Sequence, residues 1–228
     1  MSPESCRKRR SIMYLIPTLS LMLASCASVP QRLTGAALQG NLSELDDVLR
    51  SGPSQINASA MLGKSDPACP GIYFLTPLQA AACAGQTAAV QKLLANKADP
   101  NLAVGAGKVP LALALDHGRE AVIRPLIEGG ADPEATDSRG NTALMSAAGR
   151  GDQALVEFLL GKGASPHTMN GKGENALMMA ADAAVAKTLI KYGTKPFLRN
   201  SAGESARQIA ERHGRSEERR VGKECRSR

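Results

Sequence analysis

The sequence predicts an all-α solenoid, a row of helix pairs stacked side by side. Two observations carry that prediction. The stretch TPLQAAACAGQTAAVQKLLANKADPN, residues 76–101, contains a complete helix–turn–helix with its own start and stop signals. The pattern then recurs in three steps of 33 residues, from Thr76 to Val109, Thr142 and Asn175. A fixed period of this length marks repeats that bury an apolar stripe only against a neighbour.

The chain opens on a basic cluster, Arg7-Lys8-Arg9-Arg10, followed by the apolar run IMYLIPTLSLMLAS and Cys26. A basic region, an apolar run short for a bilayer span and small residues before a cleavage point make residues 1–25 a targeting signal. The tetrad Leu23-Ala24-Ser25-Cys26 resembles the lipobox of bacterial lipoproteins. That resemblance implies cleavage before Cys26, a diacylglyceryl thioether on its sulfur and acylation of the new amino group. More than one acyl chain together gives stable anchoring. Ala27 is not the Asp that retains such proteins at the inner membrane, which implies sorting to the outer membrane, facing the periplasm. An uncleaved membrane helix and an ordinary signal peptide are the alternatives. Residues 26–30 then form a short linker.

Residues 33–52 (LTGAALQGNLSELDDVLRSG) read as a first, atypical helix pair. Ala36, Ala37 and Leu38 precede a Gly40-Asn41 turn, Leu45, Val48 and Leu49 form a second stripe, and Gly52 is a left-handed stop. Residues 53–75 form a connection about a dozen residues longer than the others, a length that ordered loops usually reach only for function. Thr76 then caps a helix through its hydroxyl, with Pro77 at the first helical position. Gly85 ends that helix, and Val90, Leu93 and Leu94 supply the stripe of the next. The counterparts at 109, 142 and 175 follow, and Ser205 opens one more first helix over 203–214.

The matching Thr76-Pro77-Leu78, the Ala-rich first helices and the endings Lys97-Ala98-Asp99-Pro100, Gly130-Ala131-Asp132-Pro133 and Gly163-Ala164-Ser165-Pro166 resemble the ankyrin repeat. The resemblance covers 31–214, about five repeats and a truncated last one. It implies antiparallel helix pairs followed by turns that project sideways. Several departures from the pattern carry expectations. The repeat at 175 has lost three residues, since Gly193 lies 18 after Asn175 whereas Gly163 lies 21 after Thr142, so its turn or its helices must be shorter. Lys97 stands where Gly130 and Gly163 sit, and a left-handed Lys costs about 1 kcal/mol relative to Gly. Pro125 falls inside a second helix and predicts a kink or a shortened first turn. Ile209 is expected to lack its cover and fray.

The formal charge of +7 comes from the ends: +3 lies in residues 1–25 and +3 in 215–228, leaving +1 for the rest. A nucleic-acid partner is therefore not indicated. The tail RSEERRVGKECRSR, 215–228, resembles, residue for residue, one reading frame of a widely used short-read sequencing adapter; it reads as artefactual, with the natural C-terminus missing.

Little in the chain points to catalysis. There is no GxSxG and no Cys–His nucleophile context, and Gly105-Ala106-Gly107-Lys108 fails as a phosphate loop because Val109 replaces Ser/Thr. Asp46-Asp47 reads as a solvated helix face. His117, His167 and His213 fall in different repeats without metal-ligand spacing. Met145, Met169, Met178 and Met179 near His167 would suit soft copper, but as core filler they need no metal. No catalytic residue, metal, cofactor or small-molecule substrate is assigned. Beside Cys26, the cysteines Cys69 and Cys83 form an even pair for an oxidising compartment, free thiols being the alternative. The ankyrin pattern implies that Cys83 faces the concave side, so a disulfide would pin the long loop there.

Function is then expected from surface. Ankyrin proteins bind proteins through turn tips and the concave faces of first helices. Carried over position by position, the tips hold Lys108, Arg139, Lys172 and Arg199, and the first-helix ends hold Cys83, Asp116, His117, Arg150 and Asp182. The expected role is non-catalytic binding of a periplasmic protein, as scaffold or stabiliser of an envelope enzyme. Two alternatives are an immunity protein that occludes a periplasmic toxin and a metal carrier or enzyme built on loop 53–75 and the Met/His cluster.

Overall fold

The structure is a computed structural model, and it describes residues 28–51, 53–61, 67, 69–70, 74–105 and 107–212. The leader, Cys26, Gly52, His213 and the tail lie outside the described residues.

Eleven α-helices form the described part. They pair as α1 (Val29–Gln39) with α2 (Leu42–Ser51), α3 (Pro77–Ala84) with α4 (Thr87–Ala95), and α5 (Pro110–Asp116) with α6 (Ile123–Glu128). The row continues with α7 (Ala143–Arg150) and α8 (Gln153–Gly161), then α9 (Ala176–Met179) and α10 (Ala183–Lys191), and α11 (Ala206–Arg212) ends it. First helices stack on first helices, α1 on α3 on α5 and α7 on α9 on α11. One continuous apolar core runs between the two layers from Leu33 to Leu189. It is built mainly from Ala on the first helices and Leu, Val and Ile on the second, because small residues let the first layer approach closely.

The caps explain the boundaries. Thr76 Oγ1 accepts from Gln79 N at 3.2 Å while the Gln79 side chain accepts from Thr76 N at 2.8 Å, a reciprocal capping box. Thr142 and Asn175 repeat the first half of that arrangement, accepting from Met145 N and Met178 N. Ser28, with Gln31, opens α1, so the helix starts at Val29 inside the stretch assigned to the linker. Proline at the second helical position makes that early start favourable.

The structure resolves the departures. Lys97 adopts φ 67°, the single left-handed non-glycine among the described residues. Lys97→Gly is expected to raise stability by about 1 kcal/mol, read as an increase in the urea midpoint. Pro125 lies in α6, whose entry is a 3-10 turn over Glu120–Val122, so the second helix of this repeat keeps six residues. Residue loss in the repeat at 175 falls on the first helix: α9 is one turn of four residues, while α10 keeps nine. The chain leaving α9 is held instead by Ala181 N donating to Ala148 O of the preceding repeat at 2.9 Å. Ile209 is not uncovered; it is buried, because α11 packs against α9. Asp46 is not simply solvated either, since it pairs with Lys92 of α4 at 2.5 Å, whereas Asp47 stays exposed beside Arg50.

Stacking is not uniform. The backbones of α5 and α7 approach less closely than those of α1 and α3, α3 and α5, or α7 and α9. At this junction Leu115, partly buried against the core, stands in the position that Ala82 and Ala148 occupy in neighbouring repeats.

Candidate protein-binding surface

The long connection builds the first part of the surface. Its ends form a two-stranded antiparallel ribbon, β1 (Ala60–Met61) and β2 (Phe74–Leu75), with Ala60 opposite Leu75 and Met61 opposite Phe74. Successive strand residues face opposite sides. Ala60 and Leu75 turn inward and are buried, while Met61 and Phe74 turn outward and are exposed. Cys69 is joined to Cys83 by a disulfide, Cα–Cα 5.9 Å. Around it lies a second, separate apolar cluster of Leu38, Leu75, Ala80 and Leu113.

This cluster sits on the side of the first helices that faces away from the second helices. In α1, α3 and α5 that side is apolar and covered by the loop. Further along, the corresponding positions are Ser146 and Gly149, and no such cover exists there among the described residues. Cys83 therefore belongs to a closed patch rather than an open concave face. The sequence carried the signal: Leu38 and then Cys83 are apolar at an outward position that becomes Asp116 in the following repeat, and Leu113 at one that becomes Ser146.

The turns form the second part. Asp137 accepts from the backbone of Arg139 at 2.8 Å and of Asn141 at 2.7 Å, so the intervening turn projects. Asn170 does the same for Lys172 and Glu174, and Asn200 for Ala202 and Glu204. Neighbouring turns are laced together: Gly171 N donates to Arg139 O at 3.1 Å, and Ser201 N to Lys172 O at 3.0 Å. The row of tips is thus 139, 172 and 202. Arg139 and Lys172 are at tips and exposed. Arg199 is not: it pairs across the turn with Ser205, and its guanidinium donates to Gly203 O. The three-residue loss in the preceding repeat shifts the register and puts Ala202 at the tip.

Lys108 also leaves the tip. It closes its turn opposite Val104, and its ammonium donates to Asp116 and to Ser138 Oγ. Asp116 in turn accepts from Ser138 N at 2.7 Å. Arg150 pairs with Glu120, and Arg124 lies over the Phe158 ring at 4.1 Å. Asp116, Glu120 and Arg124 belong to the repeat opened at Val109, and Arg150 and Phe158 to the one opened at Thr142, while Lys108 and Ser138 lie in the turns just before each. These polar contacts strap the junction where α5 and α7 stand apart. Asp182 caps α10, accepting from Val185 N at 2.8 Å. Of the eight proposed contact residues, four therefore hold the fold: Lys108, Asp116 and Arg150 across the junction, and Asp182 at a helix start. A lysine that donates to a carboxylate is also no general base for Ser138, so the strap is not a nucleophilic dyad.

Burial pushes the Asp116 carboxyl up, but hydrogen bonds from Lys108 and Ser138 outweigh it and leave it below the usual value of 3.8. Burial lowers His117 below its usual 6.5, against the attraction of Asp116. Both groups bind protons more weakly folded than unfolded. Each therefore adds stability that is present above its ordinary value and lost as pH falls: His117 first, from 6.5 downward, then Asp116 from 3.8 downward. His117→Gln is expected to flatten the dependence of the urea midpoint between pH 7 and pH 5 that the parent shows; an unchanged slope would contradict this.

Met145 and Met178 are buried in the packing, whereas Met169 and His167 are exposed. No group of three or more His, Cys, Asp or Glu among the described residues is placed to hold a metal. None of the described helices is long and apolar enough to cross a membrane.

No curated protein matches this chain. Among solved structures, a chain of the complex between Bd0816, a predatory endopeptidase from Bdellovibrio bacteriovorus, and the immunity protein Bd3460 is similar at 29% identity with a TM-score of 0.62. The match covers 80% of this chain and 91% of that one. The family model for ankyrin repeats in three copies matches residues 35–137, 78–170, 111–200 and 144–217. With this match spanning most of the chain, and with helix pairs and projecting, laced turns recurring along it, the protein belongs to the ankyrin-repeat family.

Proposed function

We propose that this chain is an envelope-anchored ankyrin module that binds and occludes an enzyme, in the manner of an immunity protein. The observation that carries the reading is the likeness, over most of both chains, to a chain of an endopeptidase–immunity protein complex. It moves the balance from a scaffold or stabiliser towards an inhibitor. The anchor rests on Leu23-Ala24-Ser25-Cys26; a module so anchored would lie where a periplasmic enzyme acts. The geometry supports protein binding: a row of projecting turns carries Arg139 and Lys172 outward while the neighbouring Asp137 and Asn170 turn inward to the backbone.

The test is enzymatic. Purified protein is titrated against the host's envelope hydrolases, and one of them is expected to lose activity in a saturable way. Arg139→Glu with Lys172→Glu should then weaken inhibition roughly tenfold, mostly through a slower on-rate, as rim charges do. If the enzyme that binds keeps full activity, or is protected from decay, the chain is a stabiliser and the inhibitor reading fails. If no hydrolase binds, the enzyme-directed reading fails altogether.

A further inference from the structure

Met61 and Phe74 are large apolar side chains, 59% and 44% exposed, and they stand directly opposite each other on the ribbon. Cross-strand partners have Cβ atoms about 5 Å apart, so the two form one apolar knob. The knob is buttressed from three sides. Below it, Ala60 and Leu75 anchor the strands in the buried patch. Along the chain, the Cys69–Cys83 disulfide ties the segment to α3. Beside it, the turn over 104–108 abuts β2: a Cβ on Gly105 would collide with the Phe74 carbonyl oxygen. That turn is itself held, since Gln79 Nε2 donates to Lys108 O at 2.7 Å. Leu42, Met169, Tyr192 and Phe197 are the other exposed large apolar side chains among the described residues; none lies on the ribbon, and Tyr192 and Phe197 sit on the turn after α10.

Folding does not account for this pair. The apolar surface that these two side chains leave open gains nothing from the core, and a held group spares a partner part of the ordering cost. Rigid aromatic and Met anchors are the groups that carry interface energy. A protrusion fits a concavity, and its residues are extended. An endopeptidase cleft is a concavity that takes extended chain, with side chains entering successive subsites. Resting on the inhibitor reading, we infer that Met61 and Phe74 are the anchor of the interface and occupy apolar subsites in the substrate cleft of a peptidase. The ribbon of β1 and β2 is then the inhibitory element, and the tip row contacts the rim of the cleft.

Site-specific photocrosslinking in the host envelope tests this with the full chain. A benzoylphenylalanine replaces Phe74, Arg139 or, as a control on the exposed side of α10, Lys187. The expected result is that positions 74 and 139 label the same peptidase, that the adduct from 74 maps to its cleft, and that 187 labels nothing. Met61→Ser with Phe74→Ser should raise the inhibition constant against that peptidase at least 100-fold. Tyr192→Ser with Phe197→Ser should leave it unchanged. Both double variants should stay folded and unfold in urea with a midpoint only slightly below the parent's, since the replaced side chains lie outside the buried core. Labelling of a peptidase from 139 alone, or an adduct from 74 outside the cleft, overturns the knob and leaves the inhibitor reading standing. An adduct of 74 with phospholipid makes the knob a membrane contact and overturns it. Labelling of a non-enzymatic protein from both positions, or no labelling at all, overturns the inference and the inhibitor reading together. An inhibition constant changed less than tenfold by the Met61/Phe74 pair also overturns it.

Discussion

Replacing both bridged cysteines, Cys69→Ser with Cys83→Ala, is expected to destabilise the protein by about 3 kcal/mol, as a bridge across roughly 15 residues does by restricting the unfolded chain. The bonded residues are 14 apart in sequence. The urea midpoint of the oxidised parent should fall to that of the double variant when reductant is added. A second consequence separates this bridge from a passive staple. The bond holds Cys69 and Leu75 over Leu38, Ala80 and Leu113, so loosening the loop uncovers the apolar face of α1, α3 and α5. Added dye that reports exposed apolar surface should therefore brighten under reducing conditions before global unfolding. An unchanged midpoint together with unchanged dye binding would show that the loop is held by packing alone. Within the proposed function, the reduced protein should also inhibit more weakly, because the knob of Met61 and Phe74 loses one of its three supports.

Leu126→Ala should have the other large effect, a loss of about 2–5 kcal/mol, the range for truncating a fully buried leucine. Leu126 is 0% exposed in α6, the shortest second helix. Its repeat has little to fall back on: the helix starts in a 3-10 turn, Pro125 withholds a ladder bond, and α5 stands apart from α7. Solenoid stability is a sum of repeat terms and nearest-neighbour interfaces. Weakening the repeat beside the loosest interface should therefore divide unfolding into two transitions, with repeats from residue 142 onward separating from those before. Leu93→Ala, in the closely stacked second repeat, should lower stability by a similar amount yet leave one transition. Two coincident probes across the unfolding curve of the Leu126 variant would refute the weak junction. Low pH should favour the same separation, because Asp116, which loses its charge only in acid, holds Ser138 and orients the Lys108 that also donates to Ser138.

The repeat layout was legible because its causes are local. Thr76, Pro77 and Gly85 bound a helix through caps and φ preferences that depend on a few neighbouring residues. The Leu and Val pairs recur on one period because every second helix meets the same kind of neighbour. Pro125 shortened its helix start for a reason contained in the proline ring, and the left-handed Lys97 follows from its place in a turn otherwise made by glycine.

Contacts between repeats were another matter. Lys108 and Arg199 were placed at tips by counting, but the lost residues before Asn200 shift the last turn, and Lys108 is drawn to Asp116 and Ser138 instead. Asp116 and Arg150 look like free surface charges in sequence, and only distances between neighbouring repeats show them strapping a junction. By itself, then, the sequence determined the family, the order of helices and the turns between them, since these follow from short-range steric and hydrogen-bonding preferences. Tertiary structure alone decided which charges remain outward, how the long connection closes over the first helices and that Met61 and Phe74 stand side by side. Those outcomes depend on residues brought together by stacking, and no local periodicity encodes the distance between them.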